Sequence, residues 1–268
     1  MGCNKKDSLG DRMKGFYENR FKSGLVRRMP VIIRIDGKAF HTFTKGFDKP
    51  FDEILMYSMQ WTTLSLCKNI QGCVLGYTQS DEITLVLVDY KKLDSAAWFD
   101  YEIQKICSVS ASMATFYFNL VFNECVDKLV FKIAFDDYCK MDEKTDKLME
   151  AYKRSVKNGA FFDSRCFNVP LEEVTNCLLW RQEDAVRNSV QMLAQHYLPQ
   201  AWLFKKNTEE LKKLLEKEKN VTWDFLSTTK KRGSCVIKTD NGWTIDNEIP
   251  IFKGDGREYI EKRIRFDN

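Results

Sequence analysis

The amino-acid sequence predicts an α+β fold built on a ferredoxin-like antiparallel sheet, with its elements in the order βαββαβ. Three patterns support this prediction: an apolar strand pattern over residues 31–36, two strand-like runs within residues 73–90, and helical periodicity after the first and third strands. A returning strand at residues 161–169 would complete the split βαβ unit. We therefore expect helices on one face of the sheet and a mixed lobe at the C terminus.

The first predicted strand follows a basic arm. Residues 1–29 are expected to be partly helical because their apolar side chains recur at helical spacing, at Met13, Phe16, Tyr17 and Phe21. The strand that follows is expected to end at Asp36. The helix predicted over residues 51–69 begins with Asp52 and Glu53, which complement the positive end of the helix dipole.

The middle of the chain combines a predicted hairpin with a long helix. The two strand-like runs of residues 73–90 meet at Gln79-Ser80-Asp81-Glu82, and the second run is aliphatic enough for a strand buried on both faces. Residues 95–123 are rich in small side chains, which favours a helix that packs closely on the sheet. A charged surface helix with loops is predicted within residues 135–158, and another long helix over residues 170–197.

The C-terminal residues predict a lobe that packs on this core. A helical pattern follows Trp202, and short strands are predicted at residues 234–238 and 243–249. The predicted division is a core with its basic arm over residues 1–200 and a packed lobe over residues 201–268, unless the two form one domain.

Composition indicates a folded protein without a strong charge bias. Hydrophobic residues make up 44% of the 268 residues and aromatic residues 13%, which argues against disorder. The formal net charge is +4, from 42 basic and 38 acidic residues, and this mild excess does not by itself indicate a nucleic-acid partner. The first 35 residues hold nine Lys or Arg against three acids. A surface for a polyanion and a plain solvated face both stay open as explanations of that excess.

The cysteines and histidines offer no familiar metal site. Nine cysteines occur without a CxxC pair, and the only histidines are His41 and His196, so no zinc-ligand spacing can be assembled. Most of the cysteines lie in apolar stretches, which is typical of reduced thiols in a cytoplasmic protein; a mitochondrial location in a eukaryote stays open. We find no signal peptide and no uninterrupted apolar run of the about 20 residues that a membrane span needs.

Two acidic points lie where strands of the predicted sheet end. Asp36 ends the first strand, and Asp81-Glu82 lie at the joint of the hairpin. Because the first strand and the hairpin are neighbours in a ferredoxin-like sheet, Asp36 and Asp81 are expected side by side. Two carboxylates there, with Gly37 letting the backbone approach, suit two Mg²⁺ ions held about 4 Å apart. Strand alternation makes Asp81 the expected ligand and Glu82 an accessory acid, and turn capping is the alternative explanation of both points.

Basic residues accompany these acids. Lys38 and His41 follow Asp36, Lys49 lies at the start of the next predicted helix, and Lys105 lies in the helix after the hairpin. A helix N-terminus beside a lysine is suited to binding phosphate. The chain contains neither GxxxxGK[ST] nor GxGxxG, which excludes a P-loop and a Rossmann site.

Five motifs in this order resemble the tRNA-His guanylyltransferase family, whose members add nucleotides in the 3′-to-5′ direction. They are RIDGKAFHTF, FDKPFDE, GYTQSDEITLVL, FFDSR and WRQEDAVRNS, and they fall within residues 30–198. The remaining residues, 201–268, match the family more loosely. The resemblance implies a polymerase palm-like catalytic core and nucleotidyltransferase activity.

The same resemblance implies roles for individual residues. Two Mg²⁺ ions would be held at Asp36, Gly37 and Asp81, with Glu82 in the place of the family's second essential acid. Nucleotide contacts are implied for a larger set: Lys38, Ala39, Phe40, His41, Lys49, Asp52, Ser80 and Lys105. Contacts to RNA or to a second nucleotide are expected for four more residues: Arg27, Arg181, Gln182 and Asn188.

One departure from the family pattern bears on the reaction. The guanylyltransferases carry HINxxYN shortly after WRQ, whereas residues 186–192 here read VRNSVQM and keep only the first asparagine, Asn188. This pattern is similar to the guanylyltransferase-like branch, whose members repair 5′-truncated tRNAs against a template. We therefore expect template-dependent 3′-to-5′ addition to the 5′ end of tRNA, after ATP or GTP has activated the 5′ phosphate.

The expected partners are tRNA, through its 5′ end and acceptor stem, and nucleoside triphosphates, and no membrane. The basic arm and Lys230-Lys231-Arg232 are candidates for contacts to the RNA backbone. The family suggests a homotetramer built as a dimer of dimers. Three alternatives stay open: an untemplated tRNA-His guanylyltransferase, another palm enzyme such as a nucleotidyl cyclase or conventional polymerase, and a catalytically silent RNA-binding protein. Crowded acids argue against the last, because like charges destabilise a fold unless a cation binds between them.

Overall fold

The computed structural model describes residues 8–135 and 142–266. Residues 1–7 of the predicted arm and residues 136–141 of the predicted surface helix lie outside the described part of the chain. Six strands are present in it: β1 Val31–Gly37, β2 Cys73–Gln79, β3 Glu82–Leu87, β4 Phe162–Asn168, β5 Ser234–Thr239 and β6 Gly242–Asp246. They form one antiparallel sheet in the order β4-β1-β3-β2-β5-β6.

Ten α-helices accompany the sheet in the described residues: α1 Leu9–Phe16, α2 Phe40–Phe43, α3 Glu53–Asn69, α4 Ile103–Phe135, α5 Glu143–Asn158, α6 Val174–Tyr197, α7 Gln200–Leu203, α8 Thr208–Lys219, α9 Thr228–Arg232 and α10 Glu258–Ile264. Helix α3 connects β1 to β2, and α4 with α5 connects β3 to β4. The predicted βαββαβ core of an α+β fold is therefore confirmed.

The central strands are buried on both faces because apolar residues occupy both sides of their pleat. On β1, Ile33 and Ile35 face the larger apolar cluster, which includes Phe118 of α4, while Ile32 faces a second cluster with Val86 of β3. All of these side chains are fully buried. A strand of this kind is stable only when layers cover both faces.

Helices cover both faces of the sheet, whereas the sequence predicted helices on one face only. Helices α3 and α4 pack on the first face, and α6 and α10 cover the other, where Leu178, Ile260 and Ile264 are buried. The C-terminal strands continue the same sheet, since β5 pairs with β2 and β6 with β5. Residues beyond 201 thus pack on the core partly as strands of its sheet.

Helix α4 begins later than predicted. The expected start was residue 95, but residues 23–25 form main-chain hydrogen bonds with residues 101–103, including Leu25 N to the Tyr101 carbonyl at 2.9 Å. This pairing holds the segment before residue 103 out of the helix. Within the described residues, α4 is also the one helix whose length and composition would allow it to cross a membrane. Its Phe118 and Phe122 are instead fully buried in the core.

Candidate active site

The ends of β1 and of the β2–β3 hairpin bring two carboxylates into one cavity. Asp36 is the penultimate residue of β1, and Asp81 lies in the two-residue turn between β2 and β3. The Gly37 amide donates a hydrogen bond to the Asp81 main-chain carbonyl at 3.1 Å, which fixes the turn against the strand. Both acids line a cavity of about 490 Å³, large enough for a small-molecule ligand.

Among the described residues, no ion pair forms with either carboxylate, and the charges of Arg165 and Arg34 do not cancel the effect of burial on Asp36. Burial is the main cause of a raised pKa at Asp36, followed by the charges of Glu82 and Asp163. Burial also raises the pKa of Asp81, and the charge of Asp36 adds to it. Asp81 accepts a hydrogen bond from Ser80 Oγ at 3.0 Å, whereas no described residue donates one to the Asp36 carboxylate. The pair is therefore poised to gain from a bound cation.

The donor set fits a magnesium site that the substrate completes. Within residues 8–135 and 142–266, no group of three His, Cys, Asp or Glu side chains is placed to hold a metal by itself. Mg²⁺ is usually bound by one or two carboxylates together with water and substrate phosphates. Asp36 and Asp81 meet that description, and they are the residues that would hold the ion.

The glycine after Asp36 is required by packing. A Cβ at Gly37 would lie 2.2 Å from Cδ2 of Phe40, and the Phe40 ring is buried against Phe43, Phe118 and Phe162. The sequence interpretation attributed this glycine to the approach of a metal. The structure adds a packing reason, because a side chain at residue 37 has no room beneath the Phe40 ring.

Two turns of the cavity hold non-glycine residues at positive φ. Ala39 has φ 54° and Ser80 has φ 49°, a conformation that costs free energy for residues with a Cβ. Ser80 directly precedes Asp81, and Ala39 lies three residues after Asp36. Strained backbone that persists at two adjoining turns is typical of functional sites.

Glu82 is neutralised by two guanidinium groups. Arg181 donates to its two carboxylate oxygens at 2.7 and 2.8 Å, and Arg34 donates at 3.1 Å. Glu82 and Arg181 are both buried. Because its oxygens are occupied, Glu82 holds Arg34 and Arg181 in place beside the acid pair, and it is not free to act as a third metal ligand.

The strand register explains this arrangement of charges. Asp36 lies opposite Glu82 on β3 and Asp163 on β4, so three acids form one row across the sheet. In the next row on the same face, Arg34 lies opposite Arg165. Sequence reasoning missed Arg34, Asp163 and Arg165, although the two-residue spacing from Asp36 and the FFDSR motif offered a signal for them.

The wall of the cavity opposite the acids is held by α5. Asp52 caps α3 and is buried; its carboxylate accepts hydrogen bonds from Leu55 N at 2.9 Å, Asp48 N at 3.1 Å and Tyr152 Oη at 2.7 Å. Ser155 of α5 also donates to the Phe43 carbonyl at 2.7 Å. With its oxygens engaged in this way, Asp52 shapes the cavity wall.

Comparison with known proteins adds a decisive observation. A family model described as tRNAHis guanylyltransferase matches residues 10–170, more than half of the chain. The chain belongs to this family. Members of the tRNAHis guanylyltransferase family are nucleotidyltransferases, so the resemblance stated from the motifs and the predicted enzyme class are both confirmed.

Solved structures and a curated relative support the assignment. A bacterial tRNAHis guanylyltransferase (Thg1)-like protein in complex with ATP is 40% identical, with a TM-score of 0.80. The complex with GTP is 39% identical, with a TM-score of 0.75. Each similarity covers 97% of this chain and 100% of the solved chain. A probable tRNA(His) guanylyltransferase from Dictyostelium discoideum is 28% identical over 169 residues, 62% of this chain and 54% of that protein.

Most of the residues predicted from the family motifs to contact a nucleotide border the 490 Å³ cavity. Those that line it are Ala39, Phe40, His41, Lys49, Asp52 and Ser80. Two do not line it: Lys38, whose amide donates to the Phe161 carbonyl at 2.8 Å, and Lys105, which pairs with Glu102 at 3.7 Å.

The residues predicted to contact RNA or a second nucleotide are scattered. Arg27 pairs with Asp89 at 2.6 Å, beyond the Leu87 end of β3 and away from Asp36, so the structure does not bring it to the cavity. The side-chain amide of Gln182 bonds to the main chain at residues 250 and 252, at 2.9 Å in each case. Asn188 lines a smaller cavity beside Ser80, together with residues 229–233 of the basic α9 segment.

The family's HINxxYN positions change the chemistry of the cavity wall. Met192, at the position of the last asparagine, lines the 490 Å³ cavity, so a thioether stands where an amide could hydrogen-bond. Val186, at the position of the histidine, packs on the apolar cluster beneath α8. Of the replaced positions, Met192 is therefore the one whose change alters the lining of this cavity.

Proposed function

We propose that this chain adds nucleotides to the 5′ end of tRNA in the 3′-to-5′ direction under the control of a template strand, after ATP or GTP has activated the 5′ phosphate. The observation that carries the proposal is a nucleotide-sized cavity lined by Asp36, Asp81 and Met192. The acid pair supports nucleotidyl transfer. Met192 supports selection of the nucleotide by pairing with a template, since its thioether stands where an amide could hydrogen-bond to a base.

The residues of the cavity have distinct roles in this reaction. Mg²⁺ bound at Asp36 and Asp81 would neutralise charge on phosphoryl oxygens and lower the pKa of the attacking hydroxyl. Lys49, at the mouth of the cavity, contributes a positive charge for the triphosphate. Arg34 and Arg181, fixed by Glu82, set the electrostatic potential beside the acid pair without moving during the reaction.

Nucleotide use is supported by the solved relatives. The bacterial Thg1-like protein was solved with ATP and with GTP, and its similarity covers nearly the whole chain. We extend both nucleotides to this protein as substrates, and Mg²⁺ as the expected cofactor. The named relatives at lower identity are tRNA(His) guanylyltransferases, which supports tRNA as the partner.

The alternative function is addition of a single untemplated G to tRNA-His, favoured by the description of the family model. One assay separates the two functions. The protein is incubated with Mg²⁺, ATP, labelled nucleoside triphosphates and a tRNA that lacks its first 5′ nucleotide. We expect 5′ growth that follows the opposite strand when that strand is altered; addition of G to tRNA-His alone, whatever the opposite nucleotide, would contradict template dependence.

A homotetramer is supported by an apolar stripe on α4. Phe116 and Leu120 lie one helical turn apart with 61% and 47% of their surfaces exposed, and contiguous exposed apolar surface is typical of a protein interface. We propose that copies of the chain associate through this stripe. Light scattering should report a tetramer for the wild-type chain and a smaller species for the Phe116→Ser, Leu120→Ser double variant; a monomeric wild-type chain would contradict the proposal.

A further inference from the structure

Two further cavities follow the active-site cavity along α6. The first, of about 320 Å³, shares Lys49, Pro50 and Met192 with the active-site cavity. The second, of about 550 Å³, shares Gln195 with the first. We call these two cavities the α6 groove. Because each cavity shares at least one lining residue with the next, the α6 groove runs from the active-site cavity to the turn after α7.

The side chains of the α6 groove suit a single strand of nucleic acid. They include three amides, Gln191, Gln195 and Gln200, which can both donate and accept hydrogen bonds. Lys49 and Lys205 supply positive charge at its two ends, and no acidic residue is among the described residues that line it. Positive charge, amides and an aromatic platform together are the elements with which proteins bind unpaired strands.

The aromatic platform is Phe204. Its side chain is 75% exposed, while the preceding residue, Leu203, is buried in the apolar cluster of α6 and α8. Lys205 follows at φ 57°, and its Nζ lies 5.3 Å from the Phe204 ring centroid. The tight turn therefore presents an exposed phenyl ring beside a cation at the far end of the groove.

We propose that the α6 groove binds single-stranded RNA, with one base stacked on Phe204 and a phosphate beside Lys205. The inference rests on the proposed function, because it places a tRNA end at Asp36 and Asp81. The strand that continues unpaired from that end is the 3′ tail of the tRNA. Cavities of 320 and 550 Å³ match pockets for individual small ligands, so each has room for a nucleotide of a single strand.

A binding experiment without nucleoside triphosphates tests the inference. Two labelled RNA hairpins carry the same stem, one blunt and one with a four-nucleotide 3′ tail, and fluorescence anisotropy reports their affinities for the full chain. We expect the wild-type chain to bind the tailed RNA about 5- to 150-fold more tightly, the range expected from one stacked base. The Phe204→Ala variant should lose this preference and keep its affinity for the blunt RNA, whereas Phe204→Trp should retain the preference.

The matched control is Phe225→Ala, which removes the same side chain from another exposed position, 89% accessible, outside the groove. This variant should bind both RNAs like the wild type. Equal wild-type binding of the two RNAs, a preference that survives in Phe204→Ala, or an equal loss for both RNAs in that variant would each overturn the inference. The inference would also be overturned if an acidic peptide bound the groove more tightly than the tailed RNA in a competition measurement.

The binding result is independent of catalysis. If the 5′ addition assay fails while the preference for the tail depends on Phe204, the groove stands and the proposed function falls. If 5′ addition proceeds while the tail confers no preference, the proposed function stands and the groove assignment falls.

Discussion

The two ends of the β1–β3 strand pair carry buried acids in opposite states. Beyond the end where Val31 pairs with Leu87, the Asp89 side chain is fully buried. It accepts hydrogen bonds from Arg27 Nε at 2.6 Å and from the Arg28 amide at 2.8 Å. At the other end, Asp36 is partly buried and has no described hydrogen-bond donor, and burial together with neighbouring acids raises its pKa.

This difference distinguishes, within one sheet, a carboxylate that stabilises the fold from one that is available to a ligand. A buried carboxylate with donors stabilises the fold, whereas one without donors destabilises it until a cation binds. Position in the sheet does not by itself decide whether a carboxylate has donors. Glu82 lies opposite Asp36, and both of its oxygens accept hydrogen bonds from Arg181. From the state of each carboxylate we expect Asp36 and Asp81 to act on a ligand, and Asp89 and Glu82 to hold the fold.

The largest effect is expected from Asp36→Asn. The substitution removes a charge that would hold Mg²⁺ in the proposed reaction, so the rate of 5′ addition should fall about 10³-fold or more, about 4 kcal/mol in activation free energy. The free energy of unfolding should stay equal or rise, as measured by urea denaturation. Asp240→Asn, an exposed turn position between β5 and β6, is the control and should retain activity; substantial turnover by Asp36→Asn would refute the role of the pair.

Glu82→Gln should act on stability first. It removes the Glu82 carboxylate from the largely buried guanidinium of Arg34 and from the buried one of Arg181, which keeps Asp184 at 2.8 Å. The free energy of unfolding should therefore fall by about 3 kcal/mol. Thermal and urea denaturation report this loss. A Glu82→Gln protein as stable as the wild type, but inactive, would instead make Glu82 a direct participant in the chemistry.

Asp89→Asn tests the far end of the comparison. The variant keeps an acceptor for the Arg28 amide and loses the charge that pairs with Arg27, so stability should fall by about 2 kcal/mol. The folded protein should add nucleotides at the wild-type rate at a temperature below its melting transition. A loss of activity without a matching loss of stability would indicate that Arg27 contributes to the active site, although the structure places it away from Asp36.

The smallest effect is a pH dependence. In metal-free protein the pKa of Asp36 is raised above the ordinary 3.8. The folded state therefore favours the protonated carboxyl, and the free energy of unfolding falls as pH rises from 3.8 through the raised pKa. The stability gained by Asp36→Asn should therefore be present at pH 7 and vanish below about pH 3.8, the unperturbed value. Melting temperatures of the two proteins across this range measure it, and a gain that persists at low pH would show another cause.

The sequence predicted the parts of the site that follow from topology. Once β1 and the hairpin were recognised, Asp36 and Asp81 had to lie near each other, because those strands are neighbours in a ferredoxin-like sheet. The nucleotide residues near Lys49 followed from local motifs. The second helical layer was missed because strand patterns show that both faces are apolar without showing which distant helix covers each one.

The ion pairs around the site were not predicted because they join residues that are far apart in the sequence. Arg181 reaches Glu82 across 99 residues of sequence, and only the path of α6 over the sheet makes that contact. Arg27 was assigned to the site and Arg34 was overlooked, yet Arg34 shares a strand face with Asp36. Strand alternation from Asp36 would have favoured Arg34, whereas the position of Arg27 depends on Asp89, which no local pattern connects to it.

The most direct test of the central claim is the shift in melting temperature caused by Mg²⁺. At ten times its dissociation constant, a bound ion stabilises the fold by about 1.4 kcal/mol. We expect Mg²⁺ to raise the melting temperature of the wild-type chain and of Asp89→Asn. The melting temperatures of Asp36→Asn and Asp81→Asn should not rise. An equal rise in all four proteins would contradict the claim that the unpaired carboxylates at the site end of the sheet hold the cation.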